Sequence, residues 1–403
     1  MKRRTLVLIA GLTLGGSATL LGACANDGAA TTTEPSRGQP VPEPSDGVVD
    51  SGAEAADDGA AICSDCEHYP ATCRADVLCP GGPFDPKTAG GAFDPRTRVH
   101  VIRGRAANDV WAAGALGTLA HFDGASWTRS ESGTQEVMKA LWLRDAEEVA
   151  LGRLERVYSR GVGIPDAGIS PGGWSWQTSA LPPSYVRPTL ESAWAPAEAE
   201  WLWTATATEA STLHKSDLFR LRRTPSGQIE VAYGLDNTAC ADIMCRRLTS
   251  IHGTSPNRLW VVGHEGKTLR VSGAQGDAPT VEVFNSQTWE ALHGVWAASE
   301  TEAWSVGAGG TIRHYTGDPL MWEVVSNVPT TTALNAVWGS SPTDVWAVGD
   351  AAIVLHYDGK AWSRVKIAGL GTRRPALFTV WAPAPGHVWI GGEGVVLSLG
   401  GMP

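Results

Sequence analysis

The stretch Val337-Trp338-Gly339-Ser340-Ser341-Pro342-Thr343-Asp344-Val345-Trp346-Ala347-Val348-Gly349 decides the fold of this 403-residue chain, because seven versions of it run from about residue 98 to the C-terminus. Set on their first tryptophan, the versions place Arg103, Trp142, Trp194, His252, Trp296, Trp338 and Trp381 in one column. Eight residues further on stand Trp111, Ala150, Leu202, Trp260, Trp304, Trp346 and Trp389. The intervals between copies are 39, 52, 58, 44, 42 and 43 residues, so on this register insertions fall between the paired positions and never within them.

A period of about 40 to 45 residues marks stacked supersecondary units. Within copy six, Leu334 to Trp338, Asp344 to Val348, Ile353 to Tyr357 and Ala361 to Lys366 are four short runs rich in Val, Ile, Trp and Tyr, each bounded by turn residues. Such runs read as strands. Asp358-Gly359 joins the last two as a two-residue hairpin turn, a place where both residues tolerate positive φ. Four antiparallel strands make a blade that cannot bury both faces alone, and large Trp rings supply apolar area between neighbours. The expected fold is therefore all-β: a seven-bladed β-propeller of four-stranded antiparallel blades. The last copy holds one strand too few after Trp389, so an N-terminal strand is expected to complete it, with residues 84–97 (FDPKTAGGAFDPRT) as the candidates and Pro86 and Pro95 confining it to an edge.

Upstream of the ring the composition changes twice. Met1-Lys2-Arg3-Arg4, an apolar run from Leu6 to Leu21, and Leu21-Gly22-Ala23-Cys24 have the form of an export signal, with residues 1–23 removed. Residues 24–62 are rich in Ala, Gly, Thr, Pro, Ser and acidic groups, too poor in large apolar side chains to offset the entropy of ordering, and read as a disordered tether. Residues 63–83 hold Cys63, Cys66, Cys73 and Cys79, and Cys240 and Cys245 lie within copy three. An even set of cysteines in an exported chain reads as disulfides. Cys63-x-x-Cys66 has zinc-ligand spacing, but Cys73 and Cys79 do not repeat it, so residues 63–83 are expected to form a small disulfide-tied cap of open connectivity, with Cys240 and Cys245 closing a loop. The propeller is then residues 84–403.

Leu21-Gly22-Ala23-Cys24 resembles the lipobox of bacterial lipoproteins, in which the cysteine becomes the lipidated first residue; Ala25, where no Asp stands, implies outer-membrane sorting. The Val337–Gly349 motif, together with His356-Tyr357-Asp358-Gly359-Lys360-Ala361-Trp362, resembles the tryptophan-rich propeller lipoproteins of the myxobacterial type. These are related loosely to neuraminidase-repeat and photosystem-assembly-factor propellers. Copies one and four to seven carry the resemblance well; copies two and three, with Ala150 and Leu202 at the second Trp position, carry it poorly. It implies a fold and a lipid-anchored place in the bacterial cell envelope rather than an activity. Sialidase Asp-boxes read Ser-x-Asp-x-Gly-x-x-Trp, whereas this chain has His121-Phe122-Asp123-Gly124 and His356-Tyr357-Asp358-Gly359, so no sialidase site is carried over.

Antiparallel order puts the second-to-third turns and the blade crossings on one face of the ring. These segments vary while the opposite turns stay alike, which makes that face the expected binding surface. Its candidate residues are Glu265, Lys267, Asp350, Glu393, Arg246 and Arg247. Two of the carboxylates Glu265, Asp350 and Glu393, if aimed at the central opening, would suit the acid and base of a glycoside hydrolase or lyase, which is the alternative function. No Ser-His-Asp order, HExxH or phosphate-binding Gly loop is found, so no catalytic residue is assigned. His121, His314 and His356 recur at equivalent places in three blades; symmetry keeps them apart, so they read as packing groups and no metal or cofactor is expected. Arg220, Arg222 and Arg223 could form an anion-attracting patch, and Trp174, Trp201, Trp203 and Trp289 fall outside the repeat register. A net charge of −10 disfavours nucleic acid as a partner. The expected function is a non-catalytic binding or scaffold module for a protein or glycan, tethered to the membrane through its N-terminal lipid.

Overall fold

The computed structural model describes residues 66–163, 168–208 and 216–401. The export signal, Cys24, the tether and Cys63 lie outside the described residues. Seven four-stranded antiparallel blades form a closed ring, each first strand lining the centre and the first strand of blade 7 meeting that of blade 1. Blade 1 opens with Val99–Ala106, blade 2 with Ala140–Leu143, blade 3 with Thr189–Trp194, blade 4 with Leu248–Ser255, blade 5 with Leu292–Ser299, blade 6 with Leu334–Ser341 and blade 7 with Leu377–Ala384. One helix, α1 (Asn237–Ile243), interrupts the crossing from blade 3 to blade 4.

The quoted motif is a hairpin whose residues are fixed by close approach. A Cβ on Gly339 would lie 2.6 Å from the Trp296 ring of the preceding blade, and one on Gly349 would lie 2.0 Å from the Ala333 carbonyl. Blades 1, 5 and 6 share a second device. His121 bonds Asp109 at 2.8 Å and stacks on Trp111; His314 bonds Glu302 at 3.3 Å and stacks on Trp304; His356 bonds Asp344 at 2.6 Å and stacks on Trp346. The three histidines are thus packing groups, each satisfied inside its own blade. Between blades, a tryptophan in or just before the fourth strand meets the preceding blade's second-strand tryptophan edge-on, in the pairs Trp174 with Trp111, Trp322 with Trp260 and Trp362 with Trp304. Edge-to-face contact is a favoured aromatic geometry and adds to the buried area.

Two sequence expectations change. The offset of eight holds as a strand pairing in five blades, but Trp142 pairs with Val149 and Trp194 pairs with Trp203, offsets of seven and nine. Insertion and deletion therefore do occur within the repeat hairpin. Trp203, fully buried, fills the second Trp position of blade 3, and Trp174 belongs to the register of blade 2, while Trp176 is half exposed under Arg156. Blades 2 and 3 also share a sheet, because Ile229 and Glu230 pair in parallel with Ser179 and Ala180 and cover both outer edges.

The closing strand of blade 7 is Leu78–Gly81, paired with Val395–Leu399, and not a segment of residues 84–97. Its place at the outer edge tolerates Pro80, which has no N–H to donate. Residues 84–97 instead turn back on the ring, with Phe93 buried beside Phe84 among Phe122, Trp127 and Trp389. Pro83, Pro86, Pro95 and the left-handed Gly90 and Gly91 break any longer strand there. The disulfide Cys73–Cys79 ties the closing strand to the loop before it, and Cys240–Cys245 is also formed.

Candidate functional site

Four of the six expected binding residues come together. The crossing from blade 3 to blade 4 carries α1, capped by Asp236 accepting from the Thr238 and Ala239 N–H groups at 2.8 and 3.0 Å. The helix ends at Met244 in the left-handed region, φ 49°, and the Cys240–Cys245 bridge closes this turn. Met244 is thereby turned outward, 66% exposed. With Ala241, Arg246, Arg247, His264, Glu265 and Lys267 it lines a cavity of about 350 Å³ on the face of the second-to-third turns. Lys267 Nζ donates to the Met244 carbonyl at 2.6 Å, and the Arg247 backbone N–H is fixed by Asp217 at 2.7 Å. Arg247 Nη2 lies 3.0 Å from His264 Nδ1 and its other nitrogen 4.0 Å from Glu265, a loose pair. Burial first, and Arg247 second, lower the His264 pKa; burial also lowers that of Lys267. The pocket has an apolar lip and a cationic wall.

Asp350 and Glu393 lie elsewhere. Asp350 accepts from Asn335 Nδ2 at 2.8 Å, and Glu393 pairs with Arg98 at 2.8 Å. Each of the three carboxylates keeps a local partner in a different blade, so the geometry supplies no acid and base pair across a glycosidic bond. The arginines of blade 3 are engaged as well: Arg222 with Glu200 and Glu230, Arg223 with Glu147, and Arg220 with the Gly276 carbonyl at 2.6 Å. Trp201 is held between the Arg220 and Arg222 guanidinium groups at 4.4 and 4.3 Å. Only Trp289 of the four noted tryptophans is freely exposed.

The central opening was expected only as the place of the alternative activity, and the residues that line it were not singled out. Its mouth is built by the residue three before each first-column position. His100, Lys139 and Glu191 come from blades 1 to 3, then Thr249, His293, Asn335 and Phe378 from blades 4 to 7. Three of these donate to the first strand of the next blade: Thr249 to the Leu292 carbonyl, His293 Nδ1 to Leu334 at 3.0 Å and Asn335 to Leu377 at 3.0 Å. Lys139 pairs with Glu191 at 3.1 Å. Burial, then the charges of Lys139 and Arg98, lowers the His100 pKa to about 4, so its ring is neutral at pH 7.

Below the mouth the wall narrows to small side chains, and Ser192, Ser250 and Thr379 accept N–H groups of Ile251, Val295 and Ile102 from the next blade. The channel cavity, about 110 Å³, ends on Arg103, His252 and Trp338. A signal for this site was present in the repeat: a column at constant spacing whose residue type differs in nearly every copy.

No family model and no curated protein matches the chain. Solved structures do. A structure titled "YCF48 bound to D1 peptide" is 14% identical, with 81% of this chain and 97% of that one covered at a TM-score of 0.56. YCF48 from Cyanidioschyzon merolae is 16% identical over 75% of this chain and 94% of its own, TM-score 0.55. The extracellular domain of a hybrid two-component system of B. thetaiotaomicron, BT3049, is 11% identical over 80% of this chain and 41% of its own, TM-score 0.56. At such identities the likeness shows the propeller fold alone.

Proposed function

We propose that this chain is a binding module that holds an acidic, partly apolar segment of a partner protein in the pocket between blades 3 and 4. The carrying observation is the convergence there of three cations, Arg246, Arg247 and Lys267, against the one carboxylate Glu265, beside His264 and an outward-turned Met244. A cationic wall favours an anionic segment over other chains, and a flexible thioether adapts to varied apolar side chains. The YCF48 structure bound to a peptide supports the idea that this architecture can hold one. The test is titration of the full chain with a panel of acidic, neutral and basic fluorescent peptides. Acidic peptides carrying one or two Leu or Phe residues bind, more weakly as salt rises, and the Arg246→Ala/Arg247→Ala/Lys267→Ala variant loses about tenfold or more. Equal affinity across the panel would end this reading, and binding of oligosaccharides in its place would move it to a glycan.

The same proposal places the ring in the bacterial cell envelope, lipidated at Cys24, sorted to the outer membrane and standing off it on residues 24–62, as in the myxobacterial-type lipoproteins it resembles. Supporting it are the basic head, the apolar run and Leu21-Gly22-Ala23-Cys24. An acyl chain plus a second anchor suffices for stable attachment. Mass spectrometry of the mature N-terminus finds a diacylglyceryl cysteine at position 24; an unmodified Cys24, or membrane attachment retained by Cys24→Ala, removes the anchor.

A further inference from the structure

Five of the seven first-column residues are tryptophan, and the two exceptions, Arg103 in blade 1 and His252 in blade 4, meet at the channel floor. Both touch one ring: the Arg103 guanidinium lies 4.4 Å from the Trp338 centroid, and the His252 ring stands edge-on to it at 4.7 Å. Arg103 Nη1 donates to the Ile102 carbonyl at 2.7 Å, and among the described residues no carboxylate pairs with it. His252 Nδ1 accepts the Ala297 N–H at 3.1 Å, which puts the proton of the neutral ring on Nε2. Burial lowers the Arg103 pKa to about 10 and, with the charge of Arg103 added, the His252 pKa well below its ordinary value. At pH 7 the floor therefore carries one positive charge, half-buried over the Trp338 ring and with no carboxylate partner among the described residues, a place that suits an anion.

Room for that anion lies on the opposite side from the mouth. The channel cavity above Arg103, about 110 Å³, holds no more than a few waters. Below Arg103 a cavity of about 400 Å³ opens toward the first-to-second turns, walled by Trp194, Trp338, Trp381, Leu141, Leu143 and Pro196. Arg105 at its edge is consumed by Asp109 and Glu148 at 2.9 and 2.8 Å, which leaves Arg103 as its unpaired cation. Asp145, exposed at the rim, disfavours a second negative charge on the ligand.

We propose that this floor is a binding site for an apolar monocarboxylate, its carboxylate on the Arg103 guanidinium and its apolar body between Trp194, Trp338 and Trp381. The planar fork of arginine matches a carboxylate, and aromatic walls contribute buried area to whatever stands beside it. A free acid and the C-terminal carboxylate of a peptide present the same chemistry.

Calorimetric titration of the full chain with benzoate and hexanoate, with benzamide and hexanamide as uncharged counterparts, tests the site. A Leu-Phe-ended peptide and its C-terminal amide form a second arm. The acids bind about tenfold or more tightly than their amides. Arg103→Trp, the residue five other copies carry, and Arg103→Gln both abolish that difference, and benzoate raises the melting temperature of the wild type but of neither variant. Preference for the peptide acid over benzoate assigns the site to chain termini, and the reverse to free acids. Equal binding of acid and amide, or unchanged benzoate binding by both Arg103 variants, overturns the proposal. The Arg246→Ala/Arg247→Ala/Lys267→Ala variant keeps benzoate binding, so this site and the pocket between blades 3 and 4 fail independently.

Discussion

Blade 6 and blade 3 bury the same tryptophan position by different means. In blade 6 the contacts are internal: Asp344 accepts from Trp346 Nε1 at 3.0 Å and bonds His356, whose ring stacks on Trp346. In blade 3 the hairpin is one residue longer, Trp203 takes the position, and the group across from it is Arg220, anchored on the loop of blade 4. Blade 3 is further tied to blade 2 through Arg223, Glu147 and Ser159. At this position the regular blade bonds its tryptophan with its own side chains, whereas the irregular one relies on an arginine anchored on its neighbour. What the irregular blade gains is a long crossing free to carry α1 and its pocket.

The largest expected effects test that equivalence. Trp304→Ala and Trp203→Ala each lose about 3–5 kcal/mol by urea denaturation, because both rings are fully enclosed. Trp289→Ala, at a ring 88% exposed, changes stability by about 0.5 kcal/mol or less. If Trp203→Ala were as mild as Trp289→Ala, the shifted register of blade 3 would be wrong. Next in size, Glu147→Ala takes the carboxylate from the Arg223 guanidinium, which keeps only the neutral partners Gln177, Gly227 and Ser159, and costs about 3 kcal/mol. Glu302→Ala, which removes only the hydrogen-bond partner of the His314 ring, whose pKa burial lowers, costs about 1 kcal/mol. Equal losses would erase the distinction between internal and neighbour-borne support.

The constancy of the Trp-to-Trp spacing made the seven blades and their strand order legible, since a period with fixed turn chemistry admits few other folds. The same constancy misled in blades 2 and 3. Holding the offset at eight matched Ala150 and Leu202 to tryptophan positions, although Trp203 stood one residue away from Leu202 and could have signalled a hairpin one residue longer. The closing strand was hidden because Cys73 and Cys79 assigned its neighbourhood to a cap, while Leu78, between them, is the residue that pairs with Leu399. Glu265, Lys267, Arg246 and Arg247 were legible as a face, but not as a pocket, because Met244 reaches it only through a left-handed turn. Asp350 and Glu393 share the face and not the pocket, since ring geometry separates equivalent turns.

A middle-sized effect ties the irregular crossing to its disulfide. Cys240→Ser/Cys245→Ser releases a loop of only a few residues and costs about 2 kcal/mol on the chain-entropy account. Binding of acidic peptides falls further than stability does, because the turn that presents Met244 and the carbonyl bonded by Lys267 is no longer held. Retained peptide affinity in the double variant would detach the pocket from the bridge.

A smaller effect is a pH dependence that distinguishes the two ends of the channel. The His100 pKa, about 4 in the folded ring against an ordinary 6.5, is depressed by burial and by Lys139 and Arg98, with Phe378 on its other side at 5.5 Å. Between those values the unfolded chain binds the proton and the folded chain does not, so stability present above pH 6.5 is lost as pH falls toward 4 and no further loss follows below it. For a half-buried ring, the term from pH 7 to pH 5 is about 1 kcal/mol after allowance for solvent screening. His100→Gln flattens the unfolding free energy over that interval by this amount and leaves benzoate affinity at pH 7 unchanged, since Arg103 lies beyond the small-residue wall. A variant with the wild-type pH slope would mean that the mouth ring is open to water and its histidine ordinary.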